Sequence, residues 1–265
     1  MPNVEINGLD IYYEVHGSGL PLMLIPGFAS GIWSWKYQVT QLLEQFQVIT
    51  FDPRGISRSQ IGEETPISIA IIADDIAALM DELRLDRASI LGISFGGFVA
   101  QDFALRYSDR VRKLVLACTS FGGKNHVLPS IEILAAFTST KALNSRDRIR
   151  QYLTMAFSSD FVTSAAGTVD DFCRLREQNN VPEGVYLSQL ASATAFDVSD
   201  RVAGISCDTL ILTGDRDTVV PMQNSVNLAA AIPNSTLEIV AGGSHMFFVE
   251  KDKEFNRIVS EFVRR

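Results

Sequence analysis

The sequence predicts an α/β fold, with a mostly parallel central sheet of about eight strands and helices on both of its faces. Two observations predict it. Short apolar runs alternate with segments of helical periodicity along the chain, and this alternation indicates parallel strands joined by crossover helices. The run at 209–213 is continuously apolar, as a strand buried on both faces requires. Right-handed crossovers then place the carboxyl ends of the strands on one edge.

The first two strands are predicted to form a hairpin, because residues 4–6 and 10–16 flank the turn dipeptide Asn7-Gly8. Strands and helices then follow in turn. The strands are predicted at 22–25, 47–51, 88–93, 111–117, 209–213 and 236–240, and the helices at 32–45, 67–83, 95–107 and from His245 onward.

A serine stands at one of these strand-to-helix junctions. Residues 92–96 read Gly-Ile-Ser-Phe-Gly, between a predicted strand and a predicted helix. Such a turn forces Ser94 into a strained backbone conformation, so its neighbours must lack bulk, and Gly92 and Gly96 meet that need. The N–H groups that begin the helix point toward whatever Ser94 attacks. The pattern therefore predicts Ser94 as a nucleophile.

A serine nucleophile needs a base, and the chain holds three histidines. His16 ends an alternating strand and is interpreted as a surface hairpin residue. His126 lies in a loop with no catalytic pattern beside it. His245 follows the late strand 236–240 and a flexible Ala-Gly-Gly-Ser segment. A loop in that position can swing back over the sheet edge, so His245 is predicted as the base.

The base in turn needs an orienting carboxylate. The strand at 209–213 ends in a loop that contains Asp215 and Asp217. From position alone, either aspartate can be the partner of the histidine, and the other is then a solvated loop carboxylate.

Taken together, these segments resemble the α/β-hydrolase fold family over nearly the whole chain. The order serine, aspartate, histidine is that of the family. The family pattern Gly-x-x-Asp-x-x-Val-Pro falls on residues 214–221, which implies Asp217 as the acid. Residues 51–59 resemble the family loop Asp-x-Arg-Gly-x-Gly-x-Ser, in which Ser57 here replaces a glycine.

The resemblance also implies two backbone donors for an oxyanion. Family members usually carry His-Gly after the third strand, where this chain has Pro26-Gly27-Phe28. The donors are then the amides of Phe28 and Phe95. Because both are backbone groups, Pro26 removes no donor and instead stiffens the loop.

Between residues 119 and 201 the strand signal disappears and the pattern becomes helical. The resemblance implies a helical cap inserted after the sixth strand. The chain then divides into a core domain, residues 1–119 and 202–265, and a cap, residues 120–201. The pocket is expected to be largely apolar, without a charged group to hold an anion. The alternative is that an arginine of the cap, Arg146, Arg148, Arg174 or Arg176, faces the pocket. Trp33 and Trp35 are expected to pack in the core, with the alternative that one of them reaches the floor of the pocket.

The composition of the chain excludes some classes of binding partner. The net charge of -8 argues against nucleic acid as a partner, and no apolar stretch reaches the ~18 residues that span a bilayer.

We expect no metal and no cofactor, because the histidines are scattered and no Cys-x-x-Cys or Gly-x-Gly-x-x-Gly occurs. Three widely spaced cysteines and the lack of a signal-peptide pattern indicate a cytoplasmic protein. A small-molecule substrate is expected, and a homodimer is left open.

The sequence thus predicts a serine hydrolase that cleaves a neutral, largely apolar carboxylic ester, thioester or lactone through an acyl-enzyme intermediate. The helix after Ser94 and residues 242–250 look most like the esterase, lactonase and perhydrolase branch of the family. Three alternatives keep the same triad and stay open. They are a cofactor-free perhydrolase, a carbon–carbon bond hydrolase and a small-molecule receptor.

Overall fold

A computed structural model describes residues 3–62 and 65–265 of the chain. Within those residues the strands are β1 (Asn3–Ile6), β2 (Leu9–His16), β3 (Leu20–Ile25), β4 (Phe46–Phe51), β5 (Ala88–Ile93), β6 (Val111–Ala117), β7 (Thr209–Gly214) and β8 (Ser235–Val240). They form one eight-stranded sheet in the order β1-β2-β4-β3-β5-β6-β7-β8. The pairs β1–β2 and β2–β4 are antiparallel and the others are parallel. The predicted mostly parallel sheet is confirmed.

Helices cover both faces of the sheet. They are α1 (Lys36–Leu42), α2 (Ile69–Glu82), α3 (Phe95–Arg106), α4 (Ile131–Thr138), α5 (Arg146–Ala156), α6 (Ser159–Ser164), α7 (Ala166–Gln178), α8 (Glu183–Ala195), α9 (Gln223–Ala231), α10 (Phe247–Glu250) and α11 (Asp252–Arg264).

Two predicted helices differ from those observed. The helix predicted at 32–45 begins as a short 3₁₀ turn, Ile32–Trp35, and its α-helical part ends at Leu42. The helix predicted from His245 begins at Phe247 and is interrupted at Lys251, whose backbone is not helical (φ -129°, ψ 44°).

The core follows the two-residue period of the strands. Along β3, Met23 and Ile25 pack on one face of the sheet with α2 and α3. Leu22 and Leu24 pack on the opposite face with α1 and α11. Each fully buried side chain of this kind stabilises the fold by roughly 1.5–3 kcal/mol. This two-sided burial fixes the sheet and therefore the loops at its carboxyl edge.

Residues 120–201, called the insertion below, lie between β6 and β7 and contain α4 to α8. Ser130, Ser145 and Ser158 cap α4, α5 and α6, and each side chain accepts a hydrogen bond from an N–H of the first turn. The helical character predicted for this segment is therefore observed, and its separation as a cap domain stays a prediction. In the described part of the chain, every helix is too short or too polar to cross a bilayer.

Candidate active site

Ser94 occupies a sharp turn between the last residue of β5 and the first residue of α3. Its φ is 53°, a conformation that costs a residue with a side chain about 1–3 kcal/mol. A Cβ atom on Gly96 would lie 2.2 Å from the carbonyl oxygen of Ile25, and one on Gly92 would lie 2.2 Å from that of Gly96. Gly96 is therefore required for the turn to pack against β3, and Gly92 for β5 to pack against α3, as the sequence pattern predicts.

The structure brings Ser94 together with two residues from other strand ends. His245, in the loop after β8, has its Nε2 3.2 Å from Ser94 Oγ and its Nδ1 2.8 Å from Asp217 Oδ2. Asp217 lies in the loop after β7, where its Oδ1 accepts hydrogen bonds from the amides of Val219 and Val220 at 2.9 and 2.8 Å. Since those two bonds fix the carboxylate, its second oxygen can hold the imidazole in one orientation.

The other residues considered from the sequence lie outside this chain of hydrogen bonds. Asp215 accepts a hydrogen bond at 2.7 Å from the amide of Gly242. His16 contacts a glutamate of its own strand, β2. His126 Nδ1 lies 2.7 Å from Ser120 Oγ, and burial lowers the pKa of His126. Of the two aspartates and three histidines, the structure therefore brings Asp217 and His245 to Ser94.

His245 and Asp217 are both buried, with 6% of each residue exposed. Burial alone would lower the pKa of His245, but the negative charge of Asp217 and the hydrogen bond to it act in the opposite direction and prevail. The pKa of His245 is therefore raised well above its usual value. A raised pKa makes the imidazole a stronger proton acceptor for Ser94.

Cys118 lies next to the same pair. Its thiol, the imidazole of His245 and the carboxylate of Asp217 have ligand atoms within 4.8 Å of one another, the one such group among residues 3–62 and 65–265. Burial raises the pKa of the Cys118 thiol, whereas metal binding requires the thiolate. His245 and Asp217 are also already hydrogen-bonded to each other. The donor set thus fits a packed thiol better than a metal ligand.

The amides of Phe28 and Phe95 follow the ends of β3 and β5. Across the ranges that the structure describes, neither amide donates a hydrogen bond to another protein group. The next amide, that of Ala29, donates to Gln189 Oε1 at 2.9 Å. Gln189 is a buried residue of α8, so a side chain of the insertion holds the loop that carries Phe28. Gln189 could not be predicted from the sequence, because nothing local marks a glutamine as the partner of a distant loop.

A cavity of about 80 Å³ opens beside Ser94 and His245. Loops of the sheet edge form one wall, and α5, α7 and α8 of the insertion form the other. Trp33 lines this cavity, while Trp35 is fully buried against Phe248 in the core. Trp35 therefore packs in the core as predicted, whereas Trp33 packs against the core with one side and lines the cavity with another.

The cavity wall is largely apolar, as predicted, but it also contains two charged groups. Most lining residues are apolar, but Arg148 of α5 and Arg176 of α7 are among them. The expectation of a pocket without a charged group is therefore wrong. A sequence signal for Arg176 exists, because it falls on the buried face of α7 with Val169, Phe172 and Cys173. An arginine at helical spacing with apolar residues indicates a guanidinium directed inward.

Comparison with known proteins agrees with this architecture. A profile described as alpha/beta hydrolase fold matches residues 21–252. The chain is 28% identical over 272 residues to a putative carbamate hydrolase, RutD, of a Caulobacter species, covering 99% of this chain and 98% of the relative. It is 27% identical to a 2-hydroxymuconate semialdehyde hydrolase of a Pseudomonas species, covering 98% and 93% of the two chains.

Among solved structures, Est816, described as an N-acyl homoserine lactone degrading enzyme, superimposes with a TM-score of 0.85. The two chains are 28% identical, and the match covers 99% of this chain and 100% of the other. The chain belongs to the α/β-hydrolase fold family, as the resemblance of its motifs predicts. It is a hydrolase, and its similar proteins act on more than one class of bond.

Proposed function

We propose that the protein is a serine hydrolase of carboxylic esters, thioesters or lactones, in which Ser94, His245 and Asp217 act as a catalytic triad. The observation that carries the proposal is the hydrogen-bonded chain from Ser94 Oγ through the imidazole to Asp217, with links of 3.2 and 2.8 Å. The strained turn at Ser94 supports the same role, since it presents the hydroxyl at the carboxyl edge of the sheet.

In the first half of the reaction, Ser94 Oγ attacks the acyl carbon while its proton moves to His245 Nε2. Asp217 accepts a hydrogen bond from Nδ1–H, which keeps Nε2 free as the acceptor and stabilises the imidazolium that forms. The imidazolium then protonates the departing alkoxide or thiolate. The bond to the leaving group breaks, and the acyl group remains on Ser94.

The amides of Phe28 and Phe95 are the proposed donors to the oxyanion of the tetrahedral intermediate. Both amides are free of protein acceptors within residues 3–62 and 65–265, so they have no competing partner to give up. One such donor typically contributes about 2.7–4 kcal/mol to the transition state. Water then attacks the acyl group with His245 as base, which releases the acid and restores Ser94.

The names of the relatives add a second class of candidate substrate. A carbamate is the second candidate substrate, because attack at its carbonyl carbon uses the same nucleophile and oxyanion donors. A relative named putative carbamate hydrolase matches this chain over 98% of the relative's length.

We also propose that the insertion acts as a cap over the cavity, because α5, α7 and α8 supply one of its walls. The three cysteines are free thiols, which supports a cytoplasmic location.

The proposal is tested with a series of p-nitrophenyl esters and with a fluorophosphonate that labels active serines. Ser94→Ala should abolish both turnover and labelling, because alanine removes the attacking oxygen and little else. Ser164→Ala is the matched control, since its hydroxyl is exposed and donates within α6 to Asp160. Label found on another serine, or turnover retained by Ser94→Ala, would show that the nucleophile is wrong. A folded wild-type protein without turnover or labelling would favour the alternative that the protein is a small-molecule receptor.

A further inference from the structure

Of the five arginines on α5 and α7, two differ from the others in having no carboxylate partner. Arg146 pairs with Glu177, Arg150 with Asp170 and Arg174 with Asp171. Arg148 and Arg176, called the arginine pair below, have no ion-pair partner in the part of the chain that the structure describes. They are also the two arginines that line the cavity beside Ser94.

The contacts of the arginine pair are all with neutral acceptors. Arg176 Nη1 donates to Asn144 Oδ1 at 3.3 Å and to the carbonyl of Asn179 at 2.9 Å. Arg148 donates to the carbonyls of Ala136 and Ser139 and to the side chain of Gln151. These bonds hold the guanidinium groups in place, but they leave two positive charges without compensation.

Burial makes that lack of compensation costly. Arg176 is only 8% exposed, and burial lowers its pKa. A guanidinium still keeps its proton at any physiological pH, so the charge cannot be removed by titration. Leaving a buried charge unpaired is strongly unfavourable compared with pairing it. An anion in the cavity would supply the missing partner.

Other groups on the cavity wall are also donors. The indole N–H of Trp33 is buried and has no acceptor among residues 3–62 and 65–265. The phenol of Tyr152 lines the same cavity, and burial raises its pKa, so the hydroxyl keeps its proton and can donate it in a hydrogen bond. The lining contains no aspartate or glutamate within the described ranges. The cavity therefore offers several donors and lacks an anionic acceptor.

We propose that the substrate carries a carboxylate, and that Arg176, assisted by Arg148, binds it beneath the insertion while the acyl carbon meets Ser94. Arg176 would act as a specificity-determining residue, and a carboxylate suits it because the planar fork of guanidinium donors matches two carboxylate oxygens. The inference rests on the proposed hydrolase function and replaces the neutral substrate expected from the sequence.

The test compares two esters of equal chain length, mono-p-nitrophenyl adipate and p-nitrophenyl hexanoate. In the wild type, kcat/KM should be at least tenfold higher for the adipate ester. Arg176→Gln should lower the adipate-to-hexanoate ratio tenfold or more, Arg148→Gln should lower it less, and Arg176→Lys should restore part of it. Arg146→Gln and Arg174→Gln are the controls, because those exposed arginines already have carboxylate partners, and they should leave the ratio unchanged.

A binding measurement separates this inference from the proposed function. Calorimetric titration of adipate into Ser94→Ala should show binding that weakens tenfold or more in Ser94→Ala/Arg176→Gln, whether or not the protein hydrolyses either ester. Should Arg176→Gln fail to fold, Arg176→Lys and Arg148→Gln report on the same ratio. A wild type that prefers the hexanoate ester, or a ratio and an adipate affinity that do not respond to Arg176, would overturn the inference. Loss of all turnover together with intact adipate binding would instead count against the hydrolase proposal alone.

Discussion

The two walls of the cavity are built in different ways. At the carboxyl edge of the sheet, Ser94, Asp217 and His245 each stand in a loop directly after a strand, and the sheet fixes their separations. In the insertion, Arg148 and Arg176 project from two different helices, and packing of those helices decides where the side chains meet the cavity. The comparison separates reactivity from selectivity. The first wall holds the groups proposed to react, and the second holds the groups proposed to choose the substrate.

The largest effect should come from the sheet edge. Asp217→Asn should lower kcat by about 10⁴-fold, because an amide in place of the carboxylate stabilises the wrong histidine tautomer. Asp215→Asn is the matched control two residues away, and it should change kcat little, since that carboxylate accepts a hydrogen bond from Gly242. Steady-state kinetics on an activated ester measures both. Equal losses in the two variants, or a larger loss for Asp215→Asn, would contradict the assignment of the acid.

An intermediate effect should come from the hydrogen bond by which Gln189 of the insertion holds the loop that carries Phe28. Gln189→Leu removes the acceptor of the Ala29 amide, so the neighbouring Phe28 amide should lose its alignment. We expect kcat to fall by about tenfold to a hundredfold, which is less than the loss of a complete oxyanion donor.

The control for this variant is Ser188→Ala, whose hydroxyl donates within α8 to Gly184. The fall in Gln189→Leu should appear in kcat for the hexanoate and adipate esters alike. If only the adipate ester were affected, Gln189 would contribute to the choice of substrate and not to the alignment of the Phe28 amide.

The smallest effect is a shift along the pH axis. His245 must be neutral to accept the proton of Ser94, and its pKa is raised. The imidazole therefore stays protonated to higher pH, and kcat/KM should rise through a midpoint above the usual histidine value of about 6.5. In Asp217→Asn the residual activity should show its midpoint at lower pH, because the neighbouring charge is lost. A midpoint below 6.5 in the wild type would contradict the raised pKa.

The sheet edge could be predicted from the sequence because each of its residues belongs to a short pattern with a local physical cause. The glycines around Ser94 are needed for one tight turn, and their spacing is fixed within residues 92–96. The residues of the 214–221 loop likewise share one segment, so the resemblance to the family could separate Asp217 from Asp215. The catalytic roles of these residues remain predictions, to be tested as described above.

The insertion wall could be predicted only in outline. Its helical pattern is visible in the sequence, but Arg176 comes to line the same cavity as Trp33 only after the helices of the insertion have packed over the sheet. A tryptophan next to a helix with apolar residues can pack in the core or line a cavity, and the neighbouring sequence does not distinguish the two positions. The absence of a charge cluster could not separate Arg176 from the other arginines of the insertion, whereas its spacing from Phe172 and Cys173 on α7 could have done so.

The burial of Arg176 has a consequence for the kinetics of recognition. The chain carries a net charge of -8, so an approaching carboxylate meets a protein of its own sign, and solvent at physiological ionic strength screens fields beyond about 8 Å. A guanidinium that is 8% exposed adds little to the field that an anion meets at that distance. It acts only after the anion has arrived. Discrimination between charged and neutral substrates should therefore lie in how long each remains bound, and added salt should leave the arrival of the charged one unhindered.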